Sequence, residues 1–302
     1  MGYEKDIYIK SCFQWIISNK SIMDYSKKGR IFLGYKMIVL DLDGTLTNSK
    51  KEVSKRNIEV LQKAMQMGII VVLASGRPTR GVMPIAEMLE LEKNNGCILS
   101  FNGGRIIDVT TGECLFQMDI PEGWLEKIYH LSRKCDVGLL TYEGFDKLIT
   151  EDDNPYIQLE LRINQMQRVT PESITKYVTF PVPKYLLTGE PEVIEKAEPL
   201  FKQMLGENLN VFRSDPYFLE ILPPKIDKAY CLEKLIEKLN ISKEEVIACG
   251  DGYNDINMIK FAGLGVAMEN ANDQAKAVAD YITLSNDNDG IAHVVEEFIF
   301  KA

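Results

Sequence analysis

The sequence predicts an α/β protein: a doubly wound parallel sheet split by an inserted α+β domain. Three observations carry this. Short apolar runs alternate with helical stripes from Met37 to Phe101, and the same alternation resumes near Lys228. Between the two halves the pattern changes to strands that read as antiparallel. Strand–helix alternation is what βαβ units and a parallel sheet require. At 302 residues and 45% hydrophobic composition the chain has room for about two domains.

Each element follows from its local pattern. "MIVL", Met37–Leu40, is an unbroken apolar run, as a strand buried on both faces needs. Ser54 is placed to cap a helix whose stripe is Ile58, Leu61, Ala64 and Met65, closed by Gly68. "IIVVLA" (69–74) reads as a second strand, Pro78 opens a helix to about Leu89, and "CILSF" (97–101) is a third strand. Residues 104–118 read as a hairpin turning at Thr111-Gly112. Residues 119–222 mix helices (121–134, 191–205) with strands such as 137–142 and 147–150, and a pair joined across Asp215-Pro216. A helix from Lys228 to about Leu239, the strand "VIAC" (246–249) and three further helices, over two short strands, complete the chain. The expected domains are therefore 37–118 with 223–302 as the core and 119–222 as the insertion. Residues 1–36 read as a short helix on the body or as an extension ahead of Met37.

Bulk properties exclude several classes of function. A net charge of −9 argues against nucleic acid or anionic membrane as the partner. No apolar run reaches the roughly 18 residues a membrane span needs, and "SCFQWIIS" is a poor signal peptide. The six cysteines are scattered without a C-x-x-C pair, which suits free thiols in a reducing, cytoplasmic setting. With only His130 and His293, a histidine zinc site or a Ser-His-Asp triad is improbable.

Polar clusters fall where strands end, which in a parallel sheet is where ligands bind. Asp41 and Asp43 follow the first strand, Ser75-Gly76-Arg77 the second, and Gly250-Asp251-Gly252 with Asn254 and Asp255 the strand at 246–249. One Asp-Gly pair is ordinary turn chemistry; clusters at three strand ends are hard to explain that way. "DLDGT", "ASGRP", "KAYCL" and "GDGYND", in this order, resemble the four motifs of the haloacid dehalogenase superfamily of phosphotransferases. The insertion after "FNGG" is similar to the α+β cap (type IIB) of its Cof-type members, and the resemblance spans residues 37–302. It implies a Rossmann-like catalytic core with a cap that closes over the substrate.

The resemblance also implies roles. Asp41 is the nucleophile that forms an aspartyl-phosphate, splitting a very slow hydrolysis into two easier steps. Asp43 is the acid, then the base, and its negative neighbours are expected to favour its protonated form. Mg²⁺ would be held by Asp41, Asp251 and the backbone carbonyl of Asp43, with Asp255 supporting through water or orienting the lysine. Lys228 supplies positive charge; Lys225 is its rival after the same Pro-Pro turn, and Ala229 stands where the family has glycine. Ser75, Gly76, Thr45, Asn102 and Asn254 are the candidate substrate contacts, whereas Arg77 reads as a salt-bridging arginine. The expected activity is a Mg²⁺-dependent phosphatase acting on a small phosphorylated metabolite, a sugar phosphate or related monoester, as a monomer or homodimer. A phosphomutase or phosphotransferase is the alternative, and a non-catalytic binding protein a more distant one. No residue of the insertion is assigned a role.

Overall fold

The computed structural model describes residues 34–301 and, as a separate unit, two strands, Asp24–Tyr25 (β1) and Ile31–Phe32 (β2), paired antiparallel. Apart from these strands and residues 34–36, the segment 1–36, expected to be a short helix or an extension, lies outside the described residues. The chain then runs β3 (Met37–Leu40), α1 (Lys55–Gln66), β4 (Ile70–Ala74), α2 (Thr79–Met88), β5 (Cys97–Ser100), β6 (Arg105–Asp108) and β7 (Cys114–Gln117). There follow α3 (Leu125–Cys135), β8 (Gly138–Glu143), β9 (Lys147–Thr150), α4 (Pro155–Ile163), β10 (Gln167–Val169), α5 (Ile174–Tyr177), β11 (Tyr185–Thr188), α6 (Pro191–Leu205), β12 (Asn210–Asp215) and β13 (Phe218–Leu222). The last stretch holds α7 (Lys228–Leu239), β14 (Val246–Gly250), α8 (Ile256–Phe261), β15 (Leu264–Ala267), α9 (Asp273–Val278), β16 (Tyr281–Ile282) and α10 (Gly290–Phe298).

The first and last stretches build one eight-stranded sheet, ordered β16-β15-β14-β3-β4-β5-β6-β7. It is parallel from β16 to β5, and the 105–117 hairpin adds two antiparallel strands at the edge. The unbroken apolar runs are explained by two-sided burial. Ile38 and Leu40, with Val71, Leu73 and Ile247, face Leu61, Val82 and Ile291 of α1, α2 and α10. Met37 and Val39, with Val72, Ala74 and Val246, face Leu232, Leu235 and Met258 of α7 and α8. Period-two alternation thus serves both faces at once. The Ser54 hydroxyl caps α1 by accepting from Asn57 N, and Gly68 past its end has φ +93°.

Residues between β7 and α7 form the second sheet, six strands ordered β10-β9-β8-β11-β13-β12. One face packs on α3, α5 and α6 through Ile128, Ile174, Ala197 and Phe201. The other holds Leu140, Tyr142, Leu186 and Phe218 around Phe101, which comes from the end of β5 in the first sheet. Pairing is antiparallel as expected for β8–β9 and β12–β13, but β9–β10 is parallel. Sequence reading missed α4; its start was signalled by Asn154-Pro155, where Asn154 accepts from Tyr156 N and Ile157 N and proline takes the first turn. Helix α3 begins at Leu125, four residues after the expected 121. Among the described residues no helix is long and apolar enough to cross a membrane, and the five described cysteines are free.

Candidate active site

The chain leaves β3 for β4 on one side and later returns to β14 on the other, so the strand order reverses between β3 and β14. A crevice opens beyond the carboxyl ends of strands at such a point. Leu40 sits beside Cys249 in register, and Asp41 N–H donates to the Cys249 carbonyl at 3.0 Å. Asp41 and Asp251 are thereby delivered side by side from positions 210 residues apart in sequence (251 − 41). Gly44 makes this approach possible: its φ is +92°, and a Cβ there would lie 2.4 Å from Asp251 Oδ2.

Lys228, the first residue of α7, is 1% exposed and its Nζ donates to Asp41 Oδ1 and Asp255 Oδ1, both at 2.6 Å. Of the two candidate lysines it is Lys228 that meets these carboxylates, and no such contact is found for Lys225 among the described residues. The other oxygen of Asp255 accepts from the backbone N–H groups of Asp251 (3.1 Å) and Gly252 (2.8 Å). Both Asp255 oxygens are thus committed, one to the lysine and one to the loop. Thr45, expected to contact substrate, is fully buried and donates to Asp251 Oδ1 at 2.8 Å instead. Its hydroxyl aims that carboxylate.

Asp41, Asp251 and Asp255 each offer an oxygen within 4.8 Å of the others, a set that could hold a metal ion. Burial raises Asp41 well above the usual carboxylate range, and Asp255 adds to this against the pull of Lys228. Burial raises Asp251 as well, with the Thr45 hydroxyl opposing. Lys228 is pulled down by burial, but the two carboxylates outweigh it and its pKa ends above the ordinary lysine value. Three carboxylates against one ammonium leave a charge of −2 (−3 + 1) when all are ionised. An all-oxygen donor set with that excess fits a hard divalent cation.

Asp43 departs from expectation. Its carboxylate turns away from the cluster to Arg77, which donates from Nε (2.9 Å) and Nη2 (2.7 Å), and to Lys51 Nζ at 2.8 Å. Burial pulls its pKa up, but Arg77 and then Lys51 outweigh that and hold it below the usual value. The expectation of a protonated Asp43, drawn from Asp41 and a bound phosphate, is therefore reversed in the free protein, where two cations hold its carboxylate. Arg77 is the salt-bridging arginine its position suggested, and its partner is the acid–base candidate. The Asp43 carboxylate, expected among the metal ligands, is not one of the clustered oxygens, which come from Asp41, Asp251 and Asp255.

The second sheet roofs this floor, and between them lies an open-mouthed cavity of about 890 Å³. Ser75, Gly76, Asn102 and Asn254 all line it. Ser75 Oγ accepts from Arg77 N (3.2 Å), which leaves its O–H to donate elsewhere. Asn254 Nδ2 donates to Asn102 Oδ1 (3.0 Å), and Asn102 Nδ2 donates to Glu220 Oε2 of β13 (3.0 Å). Phe101 and Asn102 hold left-handed φ of 55° and 54°, an uncommon conformation for such residues that swings the Asn102 amide between floor and roof. From the roof, Lys184 reaches the Gly76 carbonyl (3.2 Å) and Glu220 (3.4 Å). Sequence reading missed Lys51, in the loop after β3, and Lys184, Glu160 and Glu220 of the insertion, because nothing local marks which polar residue of a loop or an insertion will face the cavity.

Known proteins share this fold. Residues 38–295 match the haloacid dehalogenase-like hydrolase family. The solved structure of a haloacid dehalogenase-like hydrolase from Bacteroides thetaiotaomicron is 47% identical, with TM-score 0.83, over 87% of this chain and 98% of that one. The phosphatase YwpJ of Bacillus subtilis is 32% identical over 87% of this chain and all (100%) of its own length. The 5-amino-6-(5-phospho-D-ribitylamino)uracil phosphatase YcsE of the same organism is 31% identical, over 87% of this chain and 96% of its own.

Proposed function

Because the chain belongs to the haloacid dehalogenase-like hydrolase family, as a phosphatase with the Cof-type α+β cap, we propose that it hydrolyses a small phosphorylated metabolite, a sugar phosphate or related monoester, with Mg²⁺ and through an aspartyl-phosphate. The observation that carries this is the Lys228 ammonium, 2.6 Å from both Asp41 and Asp255, with Asp251 completing the cluster on the cavity floor. An isolated structural ion pair would not gather a third carboxylate around one buried lysine.

Asp41 attacks phosphorus, and the bond to the leaving oxygen breaks. Asp43 gives the departing alkoxide a proton, then takes one from the water that attacks the aspartyl-phosphate, releasing inorganic phosphate and free Asp41. In the free protein Arg77 and Lys51 keep Asp43 ionised; a phosphate dianion beside it pulls its pKa upward as substrate enters. Ser75 O–H and the Lys228 ammonium oppose the negative charge on the transferring group. Asp41 and Asp251 would hold the Mg²⁺ directly, and Asp255, with both oxygens spent, keeps Lys228 and the 251–252 loop in place. When bound, the ion neutralises phosphoryl oxygens that would otherwise meet two carboxylates.

Asp41→Asn tests the reading. Hydrolysis of p-nitrophenyl phosphate should fall by about a thousandfold or more with circular dichroism unchanged. Acid quenching of the parent with ³²P-labelled substrate should trap label on the protein, and the variant should trap none. Retained activity in Asp41→Asn rejects the covalent route.

A further inference from the structure

We propose that the roof of the cavity selects a neutral, hydroxyl-rich leaving group and rejects one that bears a second anion, with Glu160 of α4 as the residue that enforces the choice. The inference rests on the phosphatase reading. It follows from how the charges lining the cavity are paired.

Four cations line the cavity: Lys51, Arg77, Lys184 and Arg213. Lys51 and Arg77 both hold Asp43 on the floor, so the surplus positive charge lies beside the phosphoryl site. On the roof, Lys184 is paired with Glu220 at 3.4 Å, and both side chains are buried. Arg213 is paired with Glu198 at 3.4 Å. Each of these two roof cations therefore already has a carboxylate partner among the described residues, and a second phosphate or a carboxylate on the substrate would have to compete with it.

The roof carboxylates are differently placed. Glu160 is 4% exposed and lines the cavity. It accepts from Tyr142 O–H at 2.8 Å through Oε1, while Oε2 takes no hydrogen bond and the side chain no ion pair among the described residues. Asp215, at the exposed end of β12, also lines the cavity without an ion pair among the described residues. Burial raises the Glu160 pKa, against the pull of Lys184 and of the Tyr142 hydrogen bond. A buried carboxylate with an uncommitted oxygen calls for a donor, and a leaving-group hydroxyl supplies one. The same charge pattern disfavours a sugar bisphosphate, and with it the mutase alternative.

The test compares two esters that differ only at the far end: D-glucitol 6-phosphate, ending in CH₂OH, and 6-phospho-D-gluconate, ending in a carboxylate. The full chain is assayed with Mg²⁺, with p-nitrophenyl phosphate as the control. The glucitol ester should be favoured in kcat/KM by roughly tenfold or more, as expected for a charge brought beside an unpaired buried carboxylate. In Glu160→Gln the ratio should narrow, through KM for the gluconate; as a ratio within one protein it does not depend on the folded fraction. Equal or better use of the gluconate by the parent, an unchanged ratio in Glu160→Gln, or no turnover of the glucitol ester while p-nitrophenyl phosphate is hydrolysed would each overturn the proposal. Loss of all three activities in the parent would instead remove the phosphatase reading and this inference with it.

Discussion

In the proposed reaction Asp43 exchanges protons, yet in the free protein it is clamped in its ionised form by a two-toothed contact from Arg77 and a third from Lys51. The clamp has a consequence for stability. A carboxylate whose folded pKa is depressed contributes stability that is present above its unfolded pKa and lost as pH falls through the folded value. The ordinary value for Asp43 is 3.8 and the folded one lies lower, so the contribution is complete at neutral pH and fades only below that figure. Arg77→Met should therefore cost about 1 kcal/mol at pH 7, a figure discounted because the Asp43 side chain is 35% exposed. At pH 3 the two proteins should differ less. Urea denaturation at both pH values checks this, and a gap that widens on acidification would reject it.

Among the elements, α2 and α4 approach each other closely where floor meets roof. Gly81 lies in the first turn of α2, and a Cβ there would sit 2.0 Å from Asn164 Oδ1, just past the end of α4. Asn164 cannot swing aside freely, being 1% exposed with its Nδ2 bonded to the Glu160 carbonyl (3.1 Å). Alanine usually stabilises a helix relative to glycine, by roughly 0.5–1 kcal/mol. Here Gly81→Ala should reverse that sign and cost about 1–3 kcal/mol through overpacking. Gly81→Ala/Asn164→Ala should recover part of the loss, and strictly additive single effects in urea denaturation would refute the contact. This junction also marks the limit of what sequence can reveal. The strands of the first sheet were legible because two-sided burial writes itself as four or five apolar residues in a row. Asp41, Ser75, Lys228 and Asp251 were legible because each sits at a strand end or a helix start in a spaced motif. Gly81 against Asn164, Arg77 against Asp43 and Thr45 against Asp251 depend on strand order and on how one sheet lies over the other, which no local period encodes. Helix α4 is a different kind of miss: Asn154-Pro155 announced it.

At the scale of the molecule, folding brings Asp41 against Asp251 and Asp255, from which the unfolded chain keeps it apart. Asp41 and Asp251 have raised pKa values, first through burial, so their ionised forms at neutral pH work against the native state. Stability is here traded for a site that can seize a cation. A divalent ion that binds only the folded protein stabilises it by about 2.7 kcal/mol at a hundredfold excess over Kd. For a body of this size that is an increase in Tm of roughly 5 °C or more. Mg²⁺ should produce this shift in the parent, EDTA should abolish phosphatase activity, and added Mg²⁺ should restore it. Asp251→Asn separates the two consequences of the cluster. Without metal the variant should melt no lower than the parent, since one of the opposed charges is gone while Oδ1 can still accept from Thr45. With Mg²⁺ it should gain far less in Tm than the parent and remain inactive. Full activity of the parent in EDTA, or an equal Mg²⁺ shift in Asp251→Asn, would mean that the carboxylates are gathered for some purpose other than holding the ion.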